Sequence, residues 1–161
     1  MAREVRFDDI AAIRELVSTE YGPWGAEVEV TQDMIQRFSD LTGDHQWIHT
    51  DVERARRESP FGGPIAHGYL TLSLSNLFLP QIVDVQGFSA GVNYGTGKVR
   101  FPAPVPVGSL VRGSAELVEV SDVPGGLQTL IRITIERSLD GASVDAKPAC
   151  IIDSLSRWLF D

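Results

Sequence analysis

Gly68-Tyr69-Leu70-Thr71-Leu72-Ser73-Leu74-Ser75-Asn76-Leu77-Phe78-Leu79-Pro80 is the stretch that decides the architecture. From Tyr69 to Leu79 nearly every face is apolar or small, with Leu70, Leu72, Leu74, Leu77, Phe78 and Leu79 leaving no charged stripe. A helix with that pattern belongs inside a protein, and Pro80 is expected to end it. Most of the chain beyond Pro80 reads as strand. Val92 to Phe101 and Leu110 to Val120 are rich in β-forming residues. Leu127, Thr129, Ile131, Ile133 and Ile135 alternate with Gln128, Arg132, Thr134 and Glu136, the period of a half-buried strand. Asp122 to Gly126 reads as a turn and Asp140-Gly141 as a hairpin, with a last strand from about Ser143 to Trp158. One long buried helix followed by four or five antiparallel strands predicts an α+β fold, a curved sheet wrapped around the helix. Such a sheet keeps an open edge, so a second copy of the chain is expected against it.

On the N-terminal side, Ile10, Ile13, Leu16 and Val17 have helical spacing over Asp8 to Val17, and Tyr21-Gly22-Pro23-Trp24-Gly25 breaks it. Glu27 to Val30 alternates as a short strand. Thr31 reads as the N-cap of a helix from Gln32 to about Leu41, with Met34, Ile35, Phe38 and Leu41 on its apolar side. Gly43 is the expected C-cap, delivering Asp44 into a loop. Asp51 to Arg57 reads as a solvated helical turn, and Ser59-Pro60-Phe61-Gly62-Gly63-Pro64 as a defined loop.

At 161 residues and 43% hydrophobic content, residues 1–161 fit one domain with a substantial core. No run of 18 apolar residues and no basic leader followed by an apolar stretch is present, so neither a membrane span nor a signal peptide is expected. The net charge of −8 argues against a general nucleic-acid surface. It also requires a local basic patch for any phosphate-bearing ligand, with Lys98, Arg100, Arg112 and Arg157 as candidates. The single cysteine, Cys150, lies among Ala149, Ile151 and Ile152 and reads as a buried cytosolic thiol rather than a nucleophile. No metal site is expected from one cysteine and this histidine spacing.

The chemistry concentrates in two blocks, Gly43-Asp44-His45-Gln46-Trp47-Ile48-His49 and Phe61-Gly62-Gly63-Pro64-Ile65-Ala66-His67-Gly68. Asp44 and His49, five positions apart, can converge on one small molecule if the segment between them is a loop. Trp47 and Ile48 would then exclude water from the far side. Gly68 stands at the mouth of the apolar helix, where its backbone N–H can receive a developing oxyanion. An acid/base pair beside an electrophilic site suits the addition of water to, or its removal from, a thioester-activated acyl chain. His67 reads as structural, bonding a backbone group. His45 is expected to point away from Asp44, and Asp40 and Asp51 read as helix-end charges.

The two blocks resemble the MaoC-like dehydratase and R-specific enoyl-CoA hydratase family, whose motifs run Gly-Asp-x-Asn-Pro-Ile-His and Phe-Gly-Gly-Pro-Ile-Ala-His-Gly. The likeness extends through Val92-Asn93-Tyr94-Gly95 and Val99 to Ser109, about residues 25 to 120 in all. Gln46-Trp47 stands where the family usually has Asn-Pro, a variant similar to the nodulation protein N branch. The resemblance implies a hot-dog fold, a cytoplasmic homodimer and reversible hydration of a trans-2-enoyl-CoA to an R-3-hydroxyacyl-CoA. It implies catalytic Asp44 and His49, an oxyanion donor at Gly68, and Asn76 as a residue bonding the catalytic Asp. It implies no cofactor beyond the coenzyme A carried by the substrate. Two other functions are compatible with the fold: a thioesterase, which usually lacks the Asp-x4-His arrangement, and a non-catalytic dehydratase subunit, which typically loses the Asp or His.

Overall fold

The computed structural model describes residues 2–16, 25–138 and 145–160. Elements run β1 (Arg3–Arg6), α1 (Ile10–Arg14), β2 (Val28–Glu29), α2 (Gln32–Thr42), α3 (Trp47–Thr50), α4 (Val52–Glu58), α5 (Gly68–Ser73), α6 (Ser75–Ile82), β3 (Val83–Gln86), β4 (Ala90–Arg100), β5 (Leu110–Val123), β6 (Gly126–Ser138) and β7 (Cys150–Leu159). The long strands form one antiparallel sheet in the order β2-β5-β6-β7-β4, with the helices against one face. On β6 the alternating residues Leu127, Thr129, Ile131, Ile133 and Ile135 are all buried, as the period-2 pattern requires.

The central helix departs from expectation in three ways. It is two segments, α5 and α6, joined at Leu74, whose N–H is shared between Leu70 O and Thr71 O. Pro80 lies inside α6 instead of ending it, and the helix runs to Ile82. Pro80 is exposed, so the Asn76 carbonyl it leaves without a donor is on the wet side. Burying Phe78 and Ile82 yields roughly 1.5–3 kcal/mol each, against about 3 kcal/mol for an interior proline. Burial wins. Finally, the helix is not enclosed on every side. Thr71, Ser75, Phe78 and Ile82 form its buried face, while Tyr69 is 71% exposed and Leu77 and Asn76 also face outward.

Phe78 reaches the sheet because Gly113 on β5 has no side chain: a Cβ there would stand 2.7 Å from three Phe78 atoms. Two apolar clusters result, a main one between α2, α6 and the sheet and a smaller one of Val5, Phe7, Ile13, Leu16 and Leu127. The smaller one exists because β1 pairs in parallel with β3, an unexpected two-stranded sheet in which Val5 faces Val85. Helix α1 is shorter than the expected Asp8–Val17 span and is capped by Asp9, which accepts from Ala12 N. The β5–β6 turn is also tighter than expected, spanning Pro124 and Gly125, with Gly125 at φ 77° as a type II turn requires. Strand β7 begins at Cys150, because Pro148 has no N–H to give a ladder. Val17, Tyr21 to Trp24, Asp140-Gly141 and Ser143 lie outside the described residues. No described helix is long and apolar enough to cross a membrane.

Candidate active site

Helix α2 delivers the first block. Thr31 Oγ1 accepts from Met34 N at its start, and Gly43 closes its end in the left-handed region at φ 76°. The chain therefore turns sharply into Asp44, whose carboxylate is exposed. The inward stripe of α2 carries Ile35 and Ser39, whereas Leu41, expected on the apolar side, is 84% exposed. His49 does not sit in a loop as the spacing suggested. Residues 47–50 form the single turn α3, which swings the His49 ring inward and buries it. Trp47 and Ile48 are half-buried, with Arg54 stacked over the Trp47 ring at 4.3 Å.

The second block closes on the first. Ile65 N donates to Ile48 O, Ala66 N to Val105 O and Val107 N to Pro64 O, which seats the Phe61-to-Gly68 segment between α3 and the 105–107 loop. His49 Nδ1 lies 2.7 Å from Ile65 O. A carbonyl only accepts, so Nδ1 carries the proton and Nε2 of the neutral ring presents a lone pair. Burial holds the His49 pKa below its ordinary value; His67 pushes the same way, while the Ile65 bond and Asp44 oppose it. The imidazole is therefore neutral near pH 7.

One nitrogen each of His49 and His67 and one carboxylate oxygen of Asp44 lie within 4.8 Å of one another. Two hydrogen bonds of about 2.8 Å to one water place their far ends about 4.5 Å apart, so that span suits a bridging water. The sequence spacing did not reveal this convergence, because His67 joins from 23 residues beyond Asp44 through the fold. His67 indeed bonds a backbone group: its Nε2 is 3.0 Å from Asp44 O. His45 bonds Ser39 Oγ through Nδ1 at 2.8 Å. Asp51 caps α4, accepting from Arg54 N, and Asp40 accepts from Gln36.

Beside His49 opens a cleft of about 350 Å³, lined by Phe61, Ile65, Gly68, Thr71 and Phe101 among others. Gly68 is placed at its wall, where a Cβ would meet the Phe101 ring at 3.2–3.3 Å. Asn76 is not brought to Asp44. It stands exposed on α6, and its Oδ1 accepts from Asn93 Nδ2 on β4 at 3.4 Å. Of the four basic candidates, Arg112 pairs with Glu136 and Arg157 lies over the Tyr94 ring with Nε on Gln128. Lys98 and Arg100 are exposed on β4, immediately before Phe101. Cys150 is buried, and burial pushes its thiol up to about 11, which removes it as a nucleophile near neutral pH.

Residues 19–134 match the MaoC-like domain model. The chain belongs to the MaoC-like dehydratase family. The 3-hydroxyacyl-thioester dehydratase Z of Mycobacterium tuberculosis is 47% identical over 133 residues, covering 82% of this chain and 84% of that protein. Nodulation protein N of Rhizobium meliloti is 42% identical over 116 residues, 68% of this chain and 66% of its own. Among solved structures, the (R)-hydratase of A. caviae superposes with a TM-score of 0.62 at 24% identity, covering 86% of this chain and 96% of that one. The curled antiparallel sheet around α5 and α6 is thus the hot-dog fold of the MaoC-like dehydratases, and the protein is a hydro-lyase.

Proposed function

We propose that the protein reversibly hydrates trans-2-enoyl-CoA to R-3-hydroxyacyl-CoA. The observation that carries this is the His49 Nδ1 bond to Ile65 O, which leaves Nε2 as a bare acceptor on a ring with one nitrogen within 4.8 Å of an Asp44 carboxylate oxygen. Both groups then accept the hydrogens of one water, and a lone pair of its oxygen is left to face the cleft. As the oxygen bonds C3, one acceptor takes the proton and charge flows to the thioester oxygen, which the Gly68 N–H receives. A donor so placed is worth roughly 3 kcal/mol in the transition state. The acceptor then returns the proton to C2, so protons balance and nothing is oxidised. Coenzyme A arrives with the substrate, the exposed Lys98 and Arg100, which precede Phe101 in the chain, are candidates to meet its phosphates, and no other cofactor takes part.

The active unit is a homodimer in the cytoplasm. Strand β4 is a sheet edge, and it exposes Val92 and Tyr94 next to the outward face of α6, where Leu77 is also exposed. Apolar groups on an open edge favour a second copy there.

Purified protein mixed with crotonyl-CoA should consume the enoyl absorbance without releasing free thiol, and EDTA should leave the rate unchanged. Thiol release would make it a thioesterase, and inertness a non-catalytic subunit. Loss on chelation, restored by zinc, would place an ion among Asp44, His49 and His67.

A further inference from the structure

Asp44 emerges from α2 into solvent, and its own contacts there are long: Asp44 N to Thr42 Oγ1 at 3.5 Å and Gln46 N to Asp44 Oδ1 at 3.4 Å. Its backbone carbonyl is held quite differently. Ser39 Oγ donates to it at 2.7 Å from the inward face of α2, and His67 Nε2 approaches at 3.0 Å from the second block. Both side chains are buried, Ser39 completely and His67 to 3% exposure. Since Ser39 gives its proton to Asp44, His45 Nδ1 must donate to Ser39, which completes a chain of donors ending on one oxygen. His67 also stacks on the His49 ring with centroids 3.9 Å apart at 27°, with Phe38 against it at 5.1 Å. Its peptide leads directly into Gly68. One residue therefore touches the backbone of the acid, the ring of the base and the oxyanion donor.

A purely packing role would not require a donor here. With Nε2–H spent on Asp44 O, the other ring nitrogen, Nδ1, is buried without a hydrogen-bond partner among the described residues. A phenylalanine would fill the same volume without leaving that atom unpaired.

We infer that His67, with Ser39, is a positioning residue that clamps the Asp44 backbone, fixing its carboxylate at one-water distance from His49 Nε2. This rests on the hydration chemistry proposed above. A shift of about 1 Å in such a group can cost roughly 10²-fold in rate.

The test compares His67→Phe, which keeps the stack and loses the donor, with His67→Gln, whose Nε2 can reach the same carbonyl. On crotonyl-CoA, His67→Phe should lower kcat about 10- to 100-fold with KM changed less than about 3-fold, and His67→Gln should recover most of it. Ser39→Ala removes the other donor and should lower kcat less, giving a second probe if His67→Phe folds poorly. In an Asp44→Asn background, His67→Phe should cost little more, because the group it positions is already disabled. Normal kcat in folded His67→Phe, no recovery in His67→Gln, or full additivity with Asp44→Asn would overturn the clamp. Wild-type activity in Asp44→Asn and His49→Ala would instead overturn the hydration chemistry on which it stands.

Discussion

In the proposed hydration Asp44 and His49 share one water, so their contributions to rate should not be independent. Asp44→Asn and His49→Ala should each lower turnover by roughly 10²–10⁴, and the double variant should be little worse than the worse single one. Steady-state kinetics on crotonyl-CoA measures this, and multiplicative losses would separate the two roles. Their effects on folding should differ. Asp44 is exposed, and its Asn variant should melt like wild type. His49→Ala leaves the buried Ile65 carbonyl without its donor and should cost about 1–3 kcal/mol in a denaturant melt. The lowered His49 pKa fixes a pH dependence as well. The unfolded chain takes up this proton near pH 6.5 and the folded chain only below that, so stability from this group is complete above pH 6.5. It falls as pH drops through the window beneath. The acid limb of kcat/KM should accordingly lie below pH 6.5, and a limb above it would contradict a buried neutral base. Gly68→Val should fold and lose most of its turnover, because the new side chain presses on Phe101 at the cleft wall. Near-normal turnover would move the oxyanion donor elsewhere. Both motif blocks were legible as residue types at fixed spacing. The clamp was not, because Ser39 lies in a helix whose amphipathic reading favoured Leu41, and its partner arrives from the second block.

At the scale of elements, local signals were readable wherever a residue's own chemistry decides the outcome. Thr31 and Gly43 bound α2 through a side-chain cap and a left-handed φ, both intrinsic to those residues. The alternation on β6 fixed its inner face in the same way. Pro80 misled because its local cost is offset by the packing of Phe78 and Ile82 against sheet residues that no window around the proline contains. The β1–β3 pair was invisible for a related reason: each strand is four residues long, and they are joined across the chain by parallel pairing. The contact of α6 with β5 is the tightest test of that long-range packing. Gly113→Ala would drive a methyl group to 2.7 Å from Phe78, and a crowded core of this kind loses about 1–3 kcal/mol. Equilibrium unfolding should show that loss, and Phe78→Leu in the same chain should recover part of it. A neutral Gly113→Ala would mean that α6 can lift off the sheet freely.

For the whole molecule, the proposed dimer rests on the outward faces of β4 and α6. Sedimentation at assay concentration should give about twice the 17.6 kDa chain mass. Val92→Asp, which places charge on the exposed edge, should shift the population to monomer and lower activity with it. A fully active wild-type monomer would remove the dimer. Cys150 gives the molecule something else. Its thiol sits at the start of β7, opposite Ile135 in the register with β6, and at a pKa of about 11 only about one molecule in a thousand would carry a thiolate at pH 8 even if reagent could reach it. An alkylating agent therefore has to wait for the layer packed over that face of the sheet to lift away. The chain thus contains its own single-site clock for opening of the core, readable by mass spectrometry without an engineered label.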